Sequence, residues 1–250
     1  MVLLPVSGVP ASLAGAVVTT AVGAVADGTA ADGPSCIATG WVCGPYLQRF
    51  RPEIVAALEQ HVFLTLVSVA IGLVIAFPLA LLARRARGWD LGVTTVTTVL
   101  YTIPSLALFA LLLPVTGLSE TTVIVGLVLY SLVILVRGIT DGLDSVPPGV
   151  IDSARGMGFS PTRQLLAVEL PLAVPAIMAS LRVALVSTIA IATIGSLVGF
   201  GGLGNLISQG LATLFKAQIL TASVLCVLLA VVGDLLLLGL ARLLVPWRRA

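Results

Sequence analysis

The fold class predicted by this sequence is all-α and polytopic in a membrane, with five transmembrane helices and a possible sixth at the N-terminus. Three observations predict it. Of the 250 residues, 58% are hydrophobic and 10% charged, where an ordinary soluble domain carries roughly a quarter charged residues. Mean hydropathy is +1.16, so the chain cannot cover its own surface in water. Charge-free stretches long enough to cross a bilayer recur along the sequence. These runs are continuous rather than alternating, and lipid offers the backbone no hydrogen-bond partner, so helices are favoured over a barrel.

Taken in order, residues 2 to 26 carry no charge but include Pro5 and Pro10. They read as a marginal first helix or an uncleaved signal-like segment, and the absence of a preceding positive residue argues against an ordinary signal peptide. Asp27 to Pro45 is a polar loop, and Tyr46 to Gln60, with Arg49, Arg51, Glu53 and Glu59, is an interfacial amphipathic helix. Residues 1–60 are thus set apart from a permeation domain over 61–250. Val62 to Ala83 is an apolar run of 22 residues stopped by Arg84, Arg85 and Arg87, about the length that crosses roughly 30 Å of hydrocarbon. Leu91 to Ser119 is a kinked span interrupted by Pro104 and ending near Pro114. Thr121 to Val136 is bounded by Glu120 and Arg137. Val183 to Phe215 is a helix followed by a turn at Gly199 to Asn205. Ala217 to Val245 spans again with Asp234 inside it, closed by Trp247, Arg248 and Arg249.

Alternating the spans sorts the basic residues. Arg84, Arg85, Arg87, Arg137, Arg155, Arg163, Arg182, Arg242, Arg248 and Arg249 fall on one face, and Arg49, Arg51 and Lys216 on the other. The positive-inside rule makes the first face cytoplasmic. The C-terminus and the long connection 138–171 are then inside the cell, and Cys36 and Cys43 outside. Those two cysteines are equally open to pairing or to remaining free thiols; no metal-ligand spacing is present.

The 138–171 connection is long for a mere reversal of direction, which suggests that it docks something. Pro147 and Pro148 are placed to start a helix, Val150, Ala154 and Met157 make an apolar stripe, Asp152 is expected in the first turn, and Gly158 ends the helix. Pro161 and Thr162 open a second helix running to Leu170, and Pro171 is expected to break it. An amphipathic helix lying on lipid headgroups is the plainer alternative.

The spacing favours docking. Asp152-Ser153-Ala154, Gly158 and Val168-Glu169-Leu170-Pro171 resemble the EAA loop of ABC-importer permeases: Glu-Ala-Ala, three residues, Gly, nine residues, Ile-x-Leu-Pro. Asp152, Ser153 and Val168 depart conservatively from it. Tyr101 to Ala107, Ala154 to Gly158, Glu169 to Ala173 and Gly199 to Gly204 are similar to the osmoprotectant branch, which imports glycine betaine, carnitine or choline. The resemblance covers about residues 60 to 215 and leaves the N-terminal 45 unmatched. It implies a type I importer permease in a bacterial plasma membrane, working with ABC ATPase subunits, a second permease subunit, identical or paralogous, and an extracytoplasmic substrate-binding protein. It further implies that Gly149 to Gly158 is a coupling helix seated in the ATPase, with Asp152, Ser153, Ala154, Arg155, Gly158, Leu170 and Pro171 as the coupling residues.

Other signals carry less. Gly199-Phe200-Gly201-Gly202-Leu203-Gly204 satisfies G-x-G-x-x-G but follows a membrane helix and has no acid about 20 residues on, so it reads as a tight turn or close packing. Lys216 is the one lysine and follows no phosphate-binding loop, so no ATP site is expected on this chain: no cofactor of its own, and ATP used by a partner. His61 is expected at the membrane boundary in an interfacial role. Asp234 is an ionisable group inside a span, either paired with an arginine or polar neighbour or in contact with substrate. Tyr101, Ser187, Thr188, Thr193 and Ser196 are candidates for a translocation path, and Tyr101 and Tyr130 could attract a quaternary ammonium group. The competing functions are a methionine or other amino-acid permease and, more distantly, an intramembrane enzyme, for which the spans lack clustered catalytic groups. A passive channel would not need a docking helix. Nothing points to nucleic acid or a metal.

Overall fold

The computed structural model describes residues 40–85 and 87–245. The marginal N-terminal segment, Cys36 and the closing Trp247, Arg248 and Arg249 lie outside the described residues. Four described helices are long and apolar enough to span, and a sharply bent pair brings the number to five where the pair is one broken span.

Short α1 (Gly44–Arg49) leads into α2 (Arg51–Ala83), 33 residues started by Pro52. The amphipathic helix and the first span expected separately are therefore one rod. No breaker separates them, and at about 50 Å the rod outruns the hydrocarbon core.

The second span is more than kinked. α3 (Arg87–Thr102) and α4 (Ser105–Thr116) meet at 98°. Pro104 takes an extended backbone (φ −55°, ψ 136°) as the N-cap of α4, and proline disfavours helix in the residue before it. Tyr130 donates its hydroxyl to the Ile103 carbonyl exposed at this break. α4 passes through Pro114 and stops at Gly117.

α5 (Glu120–Asp144) starts at Ser119, whose side chain accepts from the Thr122 N–H, and runs 25 residues. The expected end at Val136 is too early. Arg137 stays helical because its long side chain reaches Thr98 at 2.8 Å, an end charge led away from the apolar stem.

α6 (Pro148–Gly156) and α7 (Pro161–Gln164) come next, then a π-turn (Leu165–Glu169) and α8 (Leu170–Ala192). Pro171 does not break the chain's path, contrary to expectation. The π-turn before it widens the helix, with the Leu170 N–H bonded to the Leu165 carbonyl, so Pro171 enters within the first two positions of α8, where a missing N–H costs little. The helix also begins well before Val183 and carries Arg182 within it. A 3-10 turn (Thr193–Val198), α9 (Leu203–Thr213) and α10 (Lys216–Leu244) complete the described chain.

α5 is the centre: 67% of its most apolar stretch is buried, against none for α10. Leu135, Ile139 and Leu143 of α5 are fully buried between α2 and α8. Gly138 lets α5 and α8 approach so closely that a Cβ there would lie 2.0 Å from Ser180, the small-residue contact by which helices associate in lipid.

Candidate functional site

The segment between α5 and α8 presents the helix that the sequence predicts to dock. Pro147 caps α6 and Pro148 occupies its first turn. At the other end Gly158 adopts φ +78°. Its N–H bonds the Arg155 carbonyl at 2.9 Å while the Phe159 N–H bonds that of Ala154 at 3.1 Å, the paired closure that satisfies the last carbonyls of a helix. Arg163 then stacks over the Phe159 ring at 4.5 Å.

Two expectations for α6 change. Asp152 lies beyond the first turn and meets Arg155 at 3.9 Å instead, both side chains exposed; such a pair contributes about 0–1 kcal/mol. The apolar stripe also divides. Ala154 is 1% exposed and packs inward, whereas Val150 and Met157 face outward, Met157 at 70%. Ser153 is exposed and donates to the Gly149 carbonyl. The outer face of α6 is thus Val150, Asp152, Ser153, Arg155, Gly156 and Met157, with Ala154 serving close approach to its own chain.

Beneath α6 sits an ion-pair joint that no local pattern in the sequence announces. Arg84, at the end of α2, donates from Nε to Asp144 of α5 and from Nη1 to Glu169 of the π-turn, both at 2.8 Å. Gln164 supports the buried Glu169 carboxylate from the other side at 2.7 Å. Burial by itself would lower the Arg84 pKa, but its hydrogen bonds to Glu169 and Asp144 outweigh that and hold it above its ordinary value. The joint lines a cleft of about 920 Å³ together with Asp90, Arg155 and Phe159. Leu170 and Pro171 come directly after Glu169, half-buried at the start of α8.

The path candidates scatter. Asp234 is bound in a two-pronged pair by Arg182, at 2.7 and 2.6 Å, which answers its charge within the protein. Thr188 is buried and donates to the Ala184 carbonyl. Ser187 is half-buried on the same helix. Tyr101 is 47% exposed and meets Tyr130 edge-on, ring centroids 5.8 Å apart, at the α3/α4 break. Thr193 and Ser196 line a common pocket of about 270 Å³ with Leu106, Leu197 and Ser208.

His61 does not face outward from the protein. It is fully buried, with Nδ1 3.2 Å from the Gly201 carbonyl and Nε2 3.1 Å from that of Ile189. The Gly-rich loop is seated on it: Gly202 (φ +55°) lies so close that a Cβ would come within 2.7 Å of the His61 Cβ. Asn205 closes the loop, accepting from the Gly201 N–H at 3.0 Å and donating to the Gly199 carbonyl at 2.9 Å. Cys43, near α1, is disulfide-bonded.

A family model described as the inner-membrane component of binding-protein-dependent transport systems matches residues 37–250. The chain belongs to this permease family. Among its relatives, the glycine betaine/carnitine/choline transport system permease protein OpuCD of Bacillus subtilis (strain 168) is 38% identical over 210 residues, covering 82% of this chain and 90% of the relative. The osmoprotectant import permease protein OsmW of Salmonella typhimurium is 34% identical, over 75% of this chain and 89% of its own. A chain of the inward-facing MetNI methionine ABC transporter superimposes with a TM-score of 0.72 at 23% identity, covering 81% of this chain and 99% of that one; at that identity the likeness speaks for the fold. This permease is therefore a multi-pass membrane transport subunit rather than an enzyme.

Each member of the ion-pair joint is visible singly in the permease sequence, but their pairing is not. Arg84 reads there as a stop to the first span and nothing more. Glu169 stands at the variable position of the Leu-Pro motif, in an otherwise apolar stretch, and a carboxylate there demands a partner. That partner lies 85 residues away, beyond the reach of any local spacing rule.

Proposed function

We propose that this permease carries an osmoprotectant of the glycine betaine, carnitine or choline type across a bacterial plasma membrane, and that α6 couples it to a separate ATPase. The observation that carries this reading is the form of α6: a capped helix with Val150, Met157, Asp152 and Arg155 exposed, joined to α5 through residues 145–147 and, through residues 157–160, to α7 and the π-turn that leads into α8. A helix so held transmits displacement into the spans as a rigid body. The substrate class is inferred from the names of the relatives OpuCD and OsmW. The likeness to the methionine transporter does not favour an amino acid, because it is confined to the fold.

On this reading two permease subunits, identical or paralogous, pair in the membrane. Two ATPases bind from the cytoplasm and use ATP, this chain holding no cofactor. A binding protein delivers substrate from outside, and the C-terminus is cytoplasmic. Asp152 and Arg155 orient α6 in its seat, and Gly158 sets the turn at its end. Thr193, Ser196 and Tyr101 are the better-placed candidates for the path; Asp234 is assigned to structure through Arg182. Proteoliposomes holding the permease, its ATPase and its binding protein test the proposal. ATP-dependent uptake of labelled glycine betaine, carnitine or choline is expected. Uptake of methionine but of none of these amines would overturn the substrate assignment.

A further inference from the structure

The joint at Arg84 and the clamp at His61 stand at opposite ends of the membrane-crossing part of α2, separated by about 35 Å of helix at 1.5 Å per residue. We propose that α2 is a strut that carries movement of the coupling segment across the membrane to the Gly199–Asn205 loop, with Arg84 and His61 as positioning residues at its two ends. This rests on the reading of α6 as an ATPase-docking helix.

α5 and α8 are continuous in the chain with the coupling segment and move with it by covalent connection, and α8 runs on through the 3-10 turn into the Gly199–Asn205 loop. α2 is a second, parallel route to that loop. It joins the coupling segment through side chains, packed on α5 along its length and fixed at the cytoplasmic end by a guanidinium bonded to both Asp144 and Glu169. The π-turn aims the second of these. One added residue in a turn rotates the preceding helix by about 100° relative to the succeeding one, and the Glu169 carboxylate is delivered inward, its side chain 7% exposed. A buried carboxylate held by charge-assisted bonds resists separation, because pulling the partner away leaves it unpaired. The coupling segment therefore does not move past α2 without breaking this pair.

The far end is held by contact and by the ring. Both ring nitrogens of His61 face carbonyls, one from the loop and one from α8, and Gly202 rests against the His61 backbone. A neutral imidazole carries one N–H and donates to one of these carbonyls at a time, so lifting the loop off α2 gives up the Gly202 contact and, where Nδ1 donates, a buried hydrogen bond. The loop continues directly from the 3-10 turn whose Ser196 and Leu197 line the small pocket beside α4. Displacement of α2 is thus delivered beside a candidate stretch of the path.

Leu197 is 57% exposed and serves as reporter. In the complete transporter, with Cys226→Ser in the background and the parent's labelling subtracted, Leu197→Cys is labelled by a membrane-impermeant maleimide with and without a non-hydrolysable ATP analogue. With Arg84 intact, the nucleotide is expected to change the labelling rate severalfold. Arg84→Met is expected to diminish that change, leaving the part carried by α8, while the ATPase still co-purifies, and Arg84→Lys, which reaches one carboxylate, restores part of what is lost. Glu169→Gln, nearly isosteric, gives the same loss and serves where Arg84→Met fails to assemble. His61→Gln, which loses the ring that spans the two carbonyls, also diminishes the change. A full nucleotide response in either Arg84→Met or Glu169→Gln overturns the strut at its cytoplasmic end, and one in His61→Gln overturns it at the far end. Failure of the unmodified permease to hold the ATPase would instead overturn the docking reading on which the strut rests.

Discussion

Asp234 shows how a single residue changes meaning when its neighbour is known. In the sequence it is an expensive charge in an apolar run, open to substrate contact or to pairing. In the structure Arg182, 52 residues earlier, grips both carboxylate oxygens. Removing one partner leaves the other uncompensated, whereas replacing both by apolar residues is often neutral. Asp234→Asn and Arg182→Met are each expected to lower the thermal unfolding temperature of the purified permease in detergent, and Arg182→Met with Asp234→Leu to recover most of the loss. If Asp234→Asn abolished uptake at an unchanged unfolding temperature, the residue would belong to the path. His61 differs from its expected surroundings for a related reason: a polar residue at the head of an apolar run looks exposed at the interface, and the loop that buries it comes from 140 residues away.

At the scale of elements, α6 is legible almost to the residue. Its prolines, its apolar spacing and its terminal glycine are local instructions, and local instructions survive in the sequence. They do not reveal which way Ala154 faces, since that depends on α7 and the π-turn beneath it. Gly158 supplies a test of docking. No atom of the chain would meet a Cβ there, so the constraint on this position is its φ of +78°, tolerated by Asn and Asp better than by other side chains. Gly158→Asp is expected to abolish co-purification of the ATPase, and Gly158→Asn, similar in shape but neutral, to retain most of it. Equal loss in both would assign the effect to backbone geometry instead of to the docking face. The π-turn has no such local signature: Pro171 looks like a terminator, and only a helix widened before it lets the chain continue.

As a whole, the molecule is a bundle around α5 whose helices touch through small residues. Gly138 against Ser180 is the tightest point between α5 and α8. Gly138→Val is expected to destabilise by roughly 1–3 kcal/mol through overpacking, lowering the unfolding temperature in detergent. Adding Ser180→Gly should recover part of that, and no recovery would show that the strain lies elsewhere. The orientation is testable at the same scale. On the proposed orientation, with the C-terminus in the cytoplasm, a protease tag fused there is expected to be cut only in inverted vesicles; cutting in intact cells stripped of their outer barrier would reverse the topology.

The sequence by itself determined the membrane class, the helical fold, the approximate spans and the short helix between α5 and α8. Each of these depends on composition or on neighbours within a few turns, and hydropathy, charge counting and turn chemistry are additive along a chain. The tertiary structure alone decided that α2 is one rod, that α3 and α4 break at 98°, that Asp234 belongs to Arg182, and that Arg84 and His61 fix the two ends of the spanning part of α2. Those pairings are set by partners 52 to 140 residues away, whose meeting is fixed by the packing of the helices around α5.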